Sequence, residues 1–315
     1  MVSLLHLARI TEEGVLFRSP TDGSEMMLTP EMSMNLQNQI GSDIMMALDD
    51  VVHTLSSDNG RFEEACYRTI RWIDRCIAAH KNKDTQNLFG IVQGGLDLQE
   101  GGLRERCLKM MLERDEQLPG YAIGGLAGGE DKDEFWKVVA YCCDNLPEDK
   151  PKYLMGVGYP LDLVVCSALG VDMYDCVFPT RTARFGTALV PWGMIKLKKS
   201  QYMKDMRPID ENCKCYVCRT YTRSYLHLLL KTDTLAPQLL TYHNVAYMMQ
   251  LVRQMREAIL EDCYPQFVRT FLQRMYPDGR STVPSWVRDA LTHAGISLKD
   301  WDINDPEIQG IQHQK

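Results

Sequence analysis

The sequence predicts an α/β protein whose core is a parallel β-sheet, wound as a (β/α)8 TIM-type barrel. Three observations carry that prediction. Five short apolar runs, Asp43–Leu48, Asn87–Val92, Gly120–Ile123, Tyr153–Met155 and Met173–Val177, read as strands buried on both faces. Helical patterns near residues 61–80, 102–114, 131–144 and 160–169 fill the intervals, the alternation that produces parallel strands. Each run also ends in groups suited to chemistry or close backbone approach: Asp49-Asp50, Gln93-Gly94-Gly95, Gly124-Gly125-Leu126, Gly156-Val157-Gly158 and Asp175. The first two observations fit an open doubly wound sheet equally well. The third favours the barrel, in which strand ends converge on one site.

Ahead of the sheet, Gly14–Ser19 and Glu25–Leu28 flank Thr21-Asp22-Gly23, whose Asp-Gly pair favours a tight hairpin turn. A helix follows, with Thr29 as N-cap, Pro30 in the first helical position and Glu31 in the first turn, ending near Gly41. The chain has 315 residues, 45% hydrophobic and 24% charged, enough to bury a sizeable core. That composition excludes collagen-like, coiled-coil and disordered classes. No apolar run is long enough to span a bilayer. Residues 1–10 are apolar but lack a basic n-region, so no signal peptide is expected. Eleven cysteines without a secretory signal point to a reducing, cytoplasmic compartment, and eight of them read as buried thiols.

The other three crowd together in Cys213-Lys-Cys215-Tyr-Val-Cys218. Zinc closes tetrahedrally with sulfur and nitrogen donors, so a fourth ligand comes from elsewhere. His227 lies in a helical pattern and reads as a satisfied, partly buried histidine. His243 follows a strand-like run, Gln238–Tyr242, and precedes a helix over Val245–Leu260, a junction from which it can face the cysteines. Cys213, Cys215, Cys218 and His243 together predict one structural Zn2+ with no open coordination position. Three separate buried thiols are the alternative.

Net charge is −7, which argues against a nucleic-acid binder taken globally, but the distribution is uneven. Between Thr180 and Lys231 eleven basic side chains face three acidic ones. Such a segment is either an electrostatic footprint for phosphate or a solvated face.

Several motifs together resemble the tRNA-guanine transglycosylases: Ser42-Asp-Ile-Met-Met-Ala-Leu-Asp49, Phe89-Gly-Ile-Val-Gln93-Gly, Tyr121-Ala-Ile-Gly-Gly-Leu126, Tyr153-Leu-Met-Gly-Val-Gly158, Asp172-Met-Tyr-Asp175-Cys-Val-Phe-Pro-Thr-Arg181 and the Cys213/Cys215/Cys218/His243 set. They run in the family's order from about residue 3 to 270. Leu48-Asp-Asp-Val and Thr182-Ala-Arg184-Phe-Gly are similar to the catalytic subunit of the eukaryotic enzyme. The resemblance implies exchange of the wobble guanine of certain tRNAs for queuine, on an irregular (β/α)8 barrel with a zinc-binding subdomain. It implies Asp175 as nucleophile and Asp49, Gln93 and Gly125 as base-binding residues, with Leu126 and Met155 lining the pocket. It implies tRNA contacts from Gly156, Val157, Gly158, Tyr159, Pro160, Leu161 and Asp162. A second set, Thr180, Arg181, Thr182, Ala183 and Arg184, would read the wobble position. Residues 1–194 are then a partial barrel with the base-exchange site, 195–245 a zinc-binding subdomain region including the last barrel strand, and 246–315 a C-terminal helical region.

The chemistry agrees with those roles. Cleavage at C1′ of a nucleoside builds positive charge on the sugar, which a carboxylate on the opposite face can trap as an ester. From residues alone Asp175 would serve equally as a salt-bridge or cap residue. Asp172 falls on the other strand face and reads as structural, as does Asp50, a candidate for holding a helix terminus. Bacterial relatives carry valine where Gly128 stands, and the smaller residue is expected to open space for queuine's cyclopentenediol. Arg181 and Arg184 can reach a splayed anticodon loop, with Lys196, Lys198, Lys199, Lys204 and Arg207 adding charge of the required sign.

The resemblance departs at the front. Catalytic members carry a further segment with Asp-Ser-Gly-Gly-Phe-Gln, whose aspartate is the family's proton acceptor, ahead of Met-Val-Ser-Leu; here the chain opens at Met1-Val2-Ser3-Leu4. A shortened isoform or incomplete gene model is expected, with a barrel incomplete at its N-terminus and unpaired strand edges. Two readings follow: a glycosyltransferase impaired or incomplete as written, or a non-catalytic tRNA-binding or dimerising module. By resemblance the partners are tRNA, queuine and an accessory subunit in a heterodimer, with peripheral attachment to the mitochondrial outer membrane.

Overall fold

The computed structural model describes residues 7–279 and 282–298; the opening tetrapeptide and residues 299–315 of the C-terminal region lie outside the described residues. The chain divides into two compact units. The first takes in the described residues up to Val157 together with Leu169–Asp175, and the second Gly158–Ala168 with the described residues from Cys176 onward.

The first unit opens with three antiparallel strands, β1 (Ala8–Ile10), β2 (Val15–Arg18) and β3 (Glu25–Leu28). The predicted turn between the last two is closed by Gly23, whose amide donates to the Ser19 carbonyl at 2.9 Å, and by Asp22, which accepts from the Ser24 amide. Helix α1 (Pro30–Ile40) starts and stops where its signals place it. Thr29 accepts from the Met32 amide, and Gly41 terminates the helix in the left-handed region at φ 76°.

The parallel sheet then forms from β4 (Ile44–Met46), β5 (Asn87–Val92), β6 (Gly120–Ile123), β7 (Lys152–Leu154) and β8 (Met173–Tyr174). Their connections carry α2 (Asn59–Ala79), α3 (Leu103–Leu112), α4 (Lys132–Asn145) and α5 (Pro160–Ala168), the last belonging to the second unit. The strands pair in sequential order, β4-β5-β6-β7-β8, all parallel. A doubly wound sheet reverses its order at a switch point. An unreversed run of five matches consecutive strands of an eight-stranded TIM-type barrel, so the order decides between the two architectures. The β4 and β8 strands are shorter than their apolar runs because each has one paired neighbour among the described residues. The core of this unit comprises Trp72, Ile73 and Cys76 of α2, five residues of β5, all of β6, and Phe135, Val138, Val139 and Cys142 of α4.

The second unit contains, besides α5, helix α6 (Phe178–Arg184), the antiparallel pair β9 (Thr187–Val190) and β10 (Gly193–Lys196), and helices α7 (Tyr216–Thr220), α8 (Arg223–Thr232), α9 (Leu235–Leu260), α10 (Tyr264–Met275) and α11 (Ser285–His293). Its core gathers Ala183, Ala188, Val190, Leu197, Ile209, Val217, Leu226 and Leu240. The run Gln238–Tyr242, expected as a strand, lies inside α9. Its buried residues, Ala236, Leu240, His243, Asn244, Leu251, Met255 and Ala258, follow a helical period that a five-residue window cannot reveal. Pro237 is accommodated because the first helical turn needs no N–H there.

Candidate active site and metal centre

The carboxyl ends of the parallel strands bring the predicted base-binding residues together. Gln93, directly after β5, is buried. Its amide N–H donates to Cys107 Sγ at 3.2 Å, and its Nε2 donates to Asp49 Oδ2 at 2.6 Å. Asp49, beyond the end of β4, is half-buried, and its carboxyl is pushed up to about 6. Burial is the main cause; the Gln93 hydrogen bond acts against it and the neighbouring Asp50 charge adds to it. Asp50 has the opposite fate. Wholly buried, it accepts from Arg61 at 2.8 and 2.5 Å and from Arg68 at 2.6 Å, and its N–H donates to Thr69. It therefore holds α2 through two guanidinium groups rather than by capping a terminus. One aspartate stays available and its neighbour is neutralised.

The glycines after β6 have a steric reason. At Gly125 a Cβ would lie 2.6 Å from Gln93 Oε1, and the backbone there is left-handed at φ 71°. At Gly128 a Cβ would lie 2.5 Å from Thr54 Oγ1, and that hydroxyl donates to the Gly125 carbonyl at 3.2 Å. Glu130 closes the loop by accepting from the Ala127 and Gly128 amides at 2.7 and 2.9 Å. Leu126 is buried and Met155 half-buried. Arg104 is a residue the sequence offered no reason to single out. Fully buried, it donates to the carbonyls of Val92 (2.9 Å), Gly124 (3.0 Å) and Gly95 (2.5 and 3.2 Å), tying together the residues that flank Gln93 and Gly125.

Asp175 follows β8 on the same sheet edge and is exposed. Its Oδ1 accepts from the Tyr153 hydroxyl at 2.5 Å and from the Gly156 amide at 2.7 Å. Tyr153 is the second residue missed from the sequence; only its position on β7, two residues before Met155, could have pointed to it. Burial, and then the Asp175 contact, pushes its phenol up from the ordinary value. Asp172 accepts from the Lys152 amide at 2.8 Å, a backbone tie at the other end of β8.

In the second unit, Tyr159 and Leu161 have accessible surface, whereas Gly158, Pro160 and Asp162 are buried; Val157, in the first unit, is buried and Gly156 exposed. Along α6, Arg181 and Arg184 are exposed, Thr180 and Thr182 half-buried, and Ala183 buried. Lys196, Lys198, Lys199 and Lys204 are also exposed. Arg207 is not free for phosphate: it pairs with Asp205 at 2.8 Å, and the same carboxylate accepts from the fully buried Arg223 at 3.1 Å.

Cys213, Cys215, Cys218 and His243 place their ligand atoms within 4.8 Å of one another and could hold one metal ion. The sulfurs lie 4.0, 3.5 and 3.3 Å from His243 Nδ1. A tetrahedral zinc with Zn–S about 2.3 Å and Zn–N about 2.0 Å sets edges of about 3.5 Å, so the donors fit. His243 Nε2 donates to the Leu189 carbonyl at 2.8 Å, which leaves Nδ1 as the ligand nitrogen. His227, by contrast, uses Nδ1 on the Leu197 carbonyl at 2.7 Å. A cavity of about 780 Å³ in this unit, lined by Trp192, Tyr247, Gln254, Phe267 and Arg274, takes in none of the base-exchange residues.

Comparison with known proteins gives a consistent picture. The family model described as queuine tRNA-ribosyltransferase matches residues 1–277. The queuine tRNA-ribosyltransferase catalytic subunit of Schizosaccharomyces pombe is 53% identical over 305 residues, covering 95% of this chain and 74% of that protein. The catalytic subunit of Caenorhabditis elegans is 46% identical over 311 residues, covering 95% and 76%. The queuine tRNA-ribosyltransferase of Thermus thermophilus is 45% identical over 296 residues, covering 94% and 74%.

Proposed function

The chain belongs to the queuine tRNA-ribosyltransferase family of glycosyltransferases, and from that premise we propose that it replaces the wobble guanine of tRNA with queuine through a covalent Asp175–ribose intermediate. The observation that carries this reading is the Asp175 carboxylate. Both of its hydrogen bonds fall on Oδ1, from Tyr153 and Gly156, so Oδ2 is the oxygen left to attack.

In the first step Oδ2 donates an electron pair to C1′ of the ribose, and the C1′–N9 bond breaks. Guanine leaves with the electrons of the broken C1′–N9 bond and takes a proton from water at N9. In the second step the corresponding ring nitrogen of queuine attacks C1′ and gives its proton to water, as the C1′–Oδ2 bond breaks and its electrons return to the carboxylate. Two inversions retain the configuration at C1′. Asp49 accepts from the ring N–H and exocyclic amino group of the base. Gln93, with one amide hydrogen on Asp49 and one to spare, donates to the base carbonyl, together with the backbone N–H groups of Gly125 and Leu126. Leu126 and Met155 form apolar walls.

The tRNA is held by Gly156–Asp162 and by Thr180–Arg184, where Arg181 and Arg184 meet the splayed loop. Cys213, Cys215, Cys218 and His243 would bind one zinc ion, which supplies structural closure, since four protein ligands leave no position for substrate. The relatives' names speak of a catalytic subunit, and a heterodimer with an accessory subunit is proposed for this chain on that basis. Among the described residues no helix is long and apolar enough to cross a membrane.

The test is incubation with a cognate tRNA and labelled queuine or guanine. Label incorporation and a denaturant-resistant protein–RNA adduct are expected, and Asp175→Asn is expected to abolish both. Binding of tRNA without exchange would replace this reading with that of a non-catalytic tRNA-binding module.

A further inference from the structure

Helix α6 carries the two exposed arginines and packs against α9, with Phe178 and Ala183 buried. Seven residues are too few for a helix to persist unaided; its N-cap Val177 offers no side-chain bond, and Cys176 Sγ accepts from the Phe178 amide at 3.3 Å. A further tie comes from far along the chain. Asn244, fully buried in α9, donates from Nδ2 to the Pro179 carbonyl in the first turn of α6 at 2.9 Å and to the Thr187 carbonyl of β9 at 3.0 Å. A longer contact of 3.4 Å reaches Thr182 Oγ1, which itself donates to the Phe178 carbonyl at 2.7 Å. Asn244 Oδ1 accepts from the Leu189 amide at 2.9 Å. Both amide hydrogens and the acceptor are thus committed to α6 and β9.

The preceding residue works on the same strand. His243 Nε2 donates to the Leu189 carbonyl, so consecutive side chains of α9 occupy both main-chain polar groups of Leu189. They bond the free edge of β9 as a neighbouring strand would, and Asn244 alone extends that contact to α6. Ala183 is packed into the core on the inward face of α6, which turns Arg181 and Arg184 to solvent.

We propose that Asn244 is a positioning residue: its side-chain amide fixes α6 against β9 so that Arg181 and Arg184 are presented to the RNA as a preformed pair. This rests on the reading of α6 as a tRNA-contacting segment. Binding then avoids the cost of ordering a short helix at the moment of contact.

The experiment uses the full chain in three variants. Asn244→Asp keeps an acceptor for Leu189 and loses both donors. Asn244→Ala removes both functions, and Arg181→Ala with Arg184→Ala removes the charges. Amide hydrogen exchange of residues 180–185 is expected to quicken about tenfold or more in both Asn244 variants, the equilibrium cost of a lost buried hydrogen bond. Exchange in β5 and β6 should stay unchanged. Affinity for a wobble-guanine tRNA should fall about tenfold in both, with free-guanine affinity unchanged and metal content as in the wild type. Unaltered exchange in α6, in either variant, overturns the proposal. So does a loss of guanine affinity as large as that for tRNA, the mark of a general defect. If the double arginine variant binds tRNA as the wild type does, the RNA reading of α6 falls by itself; faster exchange in the Asn244 variants would then still establish the clamp and remove its purpose.

Discussion

The Tyr153 hydroxyl donates to Asp175 Oδ1 at 2.5 Å, joining adjacent strands of the parallel sheet at the edge where the predicted base-binding residues gather. With the Gly156 amide on the same oxygen, it fixes which face of the carboxylate is open. Tyr153→Phe is therefore expected to slow base exchange about tenfold or more, from the loss of a hydrogen bond to a charged group, while leaving tRNA affinity unchanged. Single-turnover kinetics and adduct yield check this; an unchanged rate would remove Tyr153 from the mechanism.

Asp49 provides a pH signature. Its carboxyl is raised in the folded state to about 6 from the ordinary 3.8, chiefly by burial. The folded protein therefore binds this proton more tightly than the unfolded chain. The group's favourable contribution is fully present below the unfolded value and is lost as pH rises through about 6. Asp49→Asn should raise stability at pH 8 by roughly 3 kcal/mol at most, with the gain vanishing near pH 4. Urea unfolding at the two pH values measures it, and base affinity should fall in the same variant.

Gly128 touches the pocket through Thr54. A side chain at this position pushes on the hydroxyl that holds the Gly125 carbonyl. Gly128→Val is expected to weaken queuine and guanine binding alike. A loss confined to queuine would leave size as the sole role, and unchanged queuine incorporation would dismiss both arguments.

The metal centre predicts a divided response. Cys215→Ser should lower metal content from one equivalent and destabilise α7 and β9, which the cluster and Leu189 link through His243. Guanine binding, whose proposed residues lie in the other unit, should persist. Metal analysis and hydrogen exchange supply the readout, and equal metal content would exclude the cluster.

Charge pairing separates the basic residues. Affinity for tRNA should fall steeply with salt, and Arg181→Ala with Arg184→Ala should reduce the slope of log K against log salt by about 1–2. Arg207→Ala should change the slope less, because that side chain is already engaged by Asp205. Equal effects from the two changes would show that Arg207 reaches phosphate after all.

Much of this was readable along the chain because the signals are local. Thr29, Pro30 and Gly41 delimit α1 through interactions within four residues, and the apolar runs at Asn87–Val92 and Gly120–Ile123 are β5 and β6 as they stand. The three cysteines announce themselves by spacing. His243 was legible as a residue but not in its setting: the strand expected before it is helix, since five apolar-rich residues carry no period of their own.

Other features had no local trace. Tyr153 and Asp175 are 22 residues apart, and Asn244 reaches Pro179 across 65. Arg104 looks like any surface arginine of an amphipathic helix until strand ends supply carbonyls around it. Periodicity, caps and turn residues report on the few neighbours a residue meets along the chain, and they sufficed for the elements and the family. Which polar groups meet across strands and helices depends on how those elements pack. Burial favours a partner for each donor and acceptor, which gave Asp50 two arginines and α6 its Asn244, and the packing of adjacent strands placed Tyr153 on the exposed Asp175.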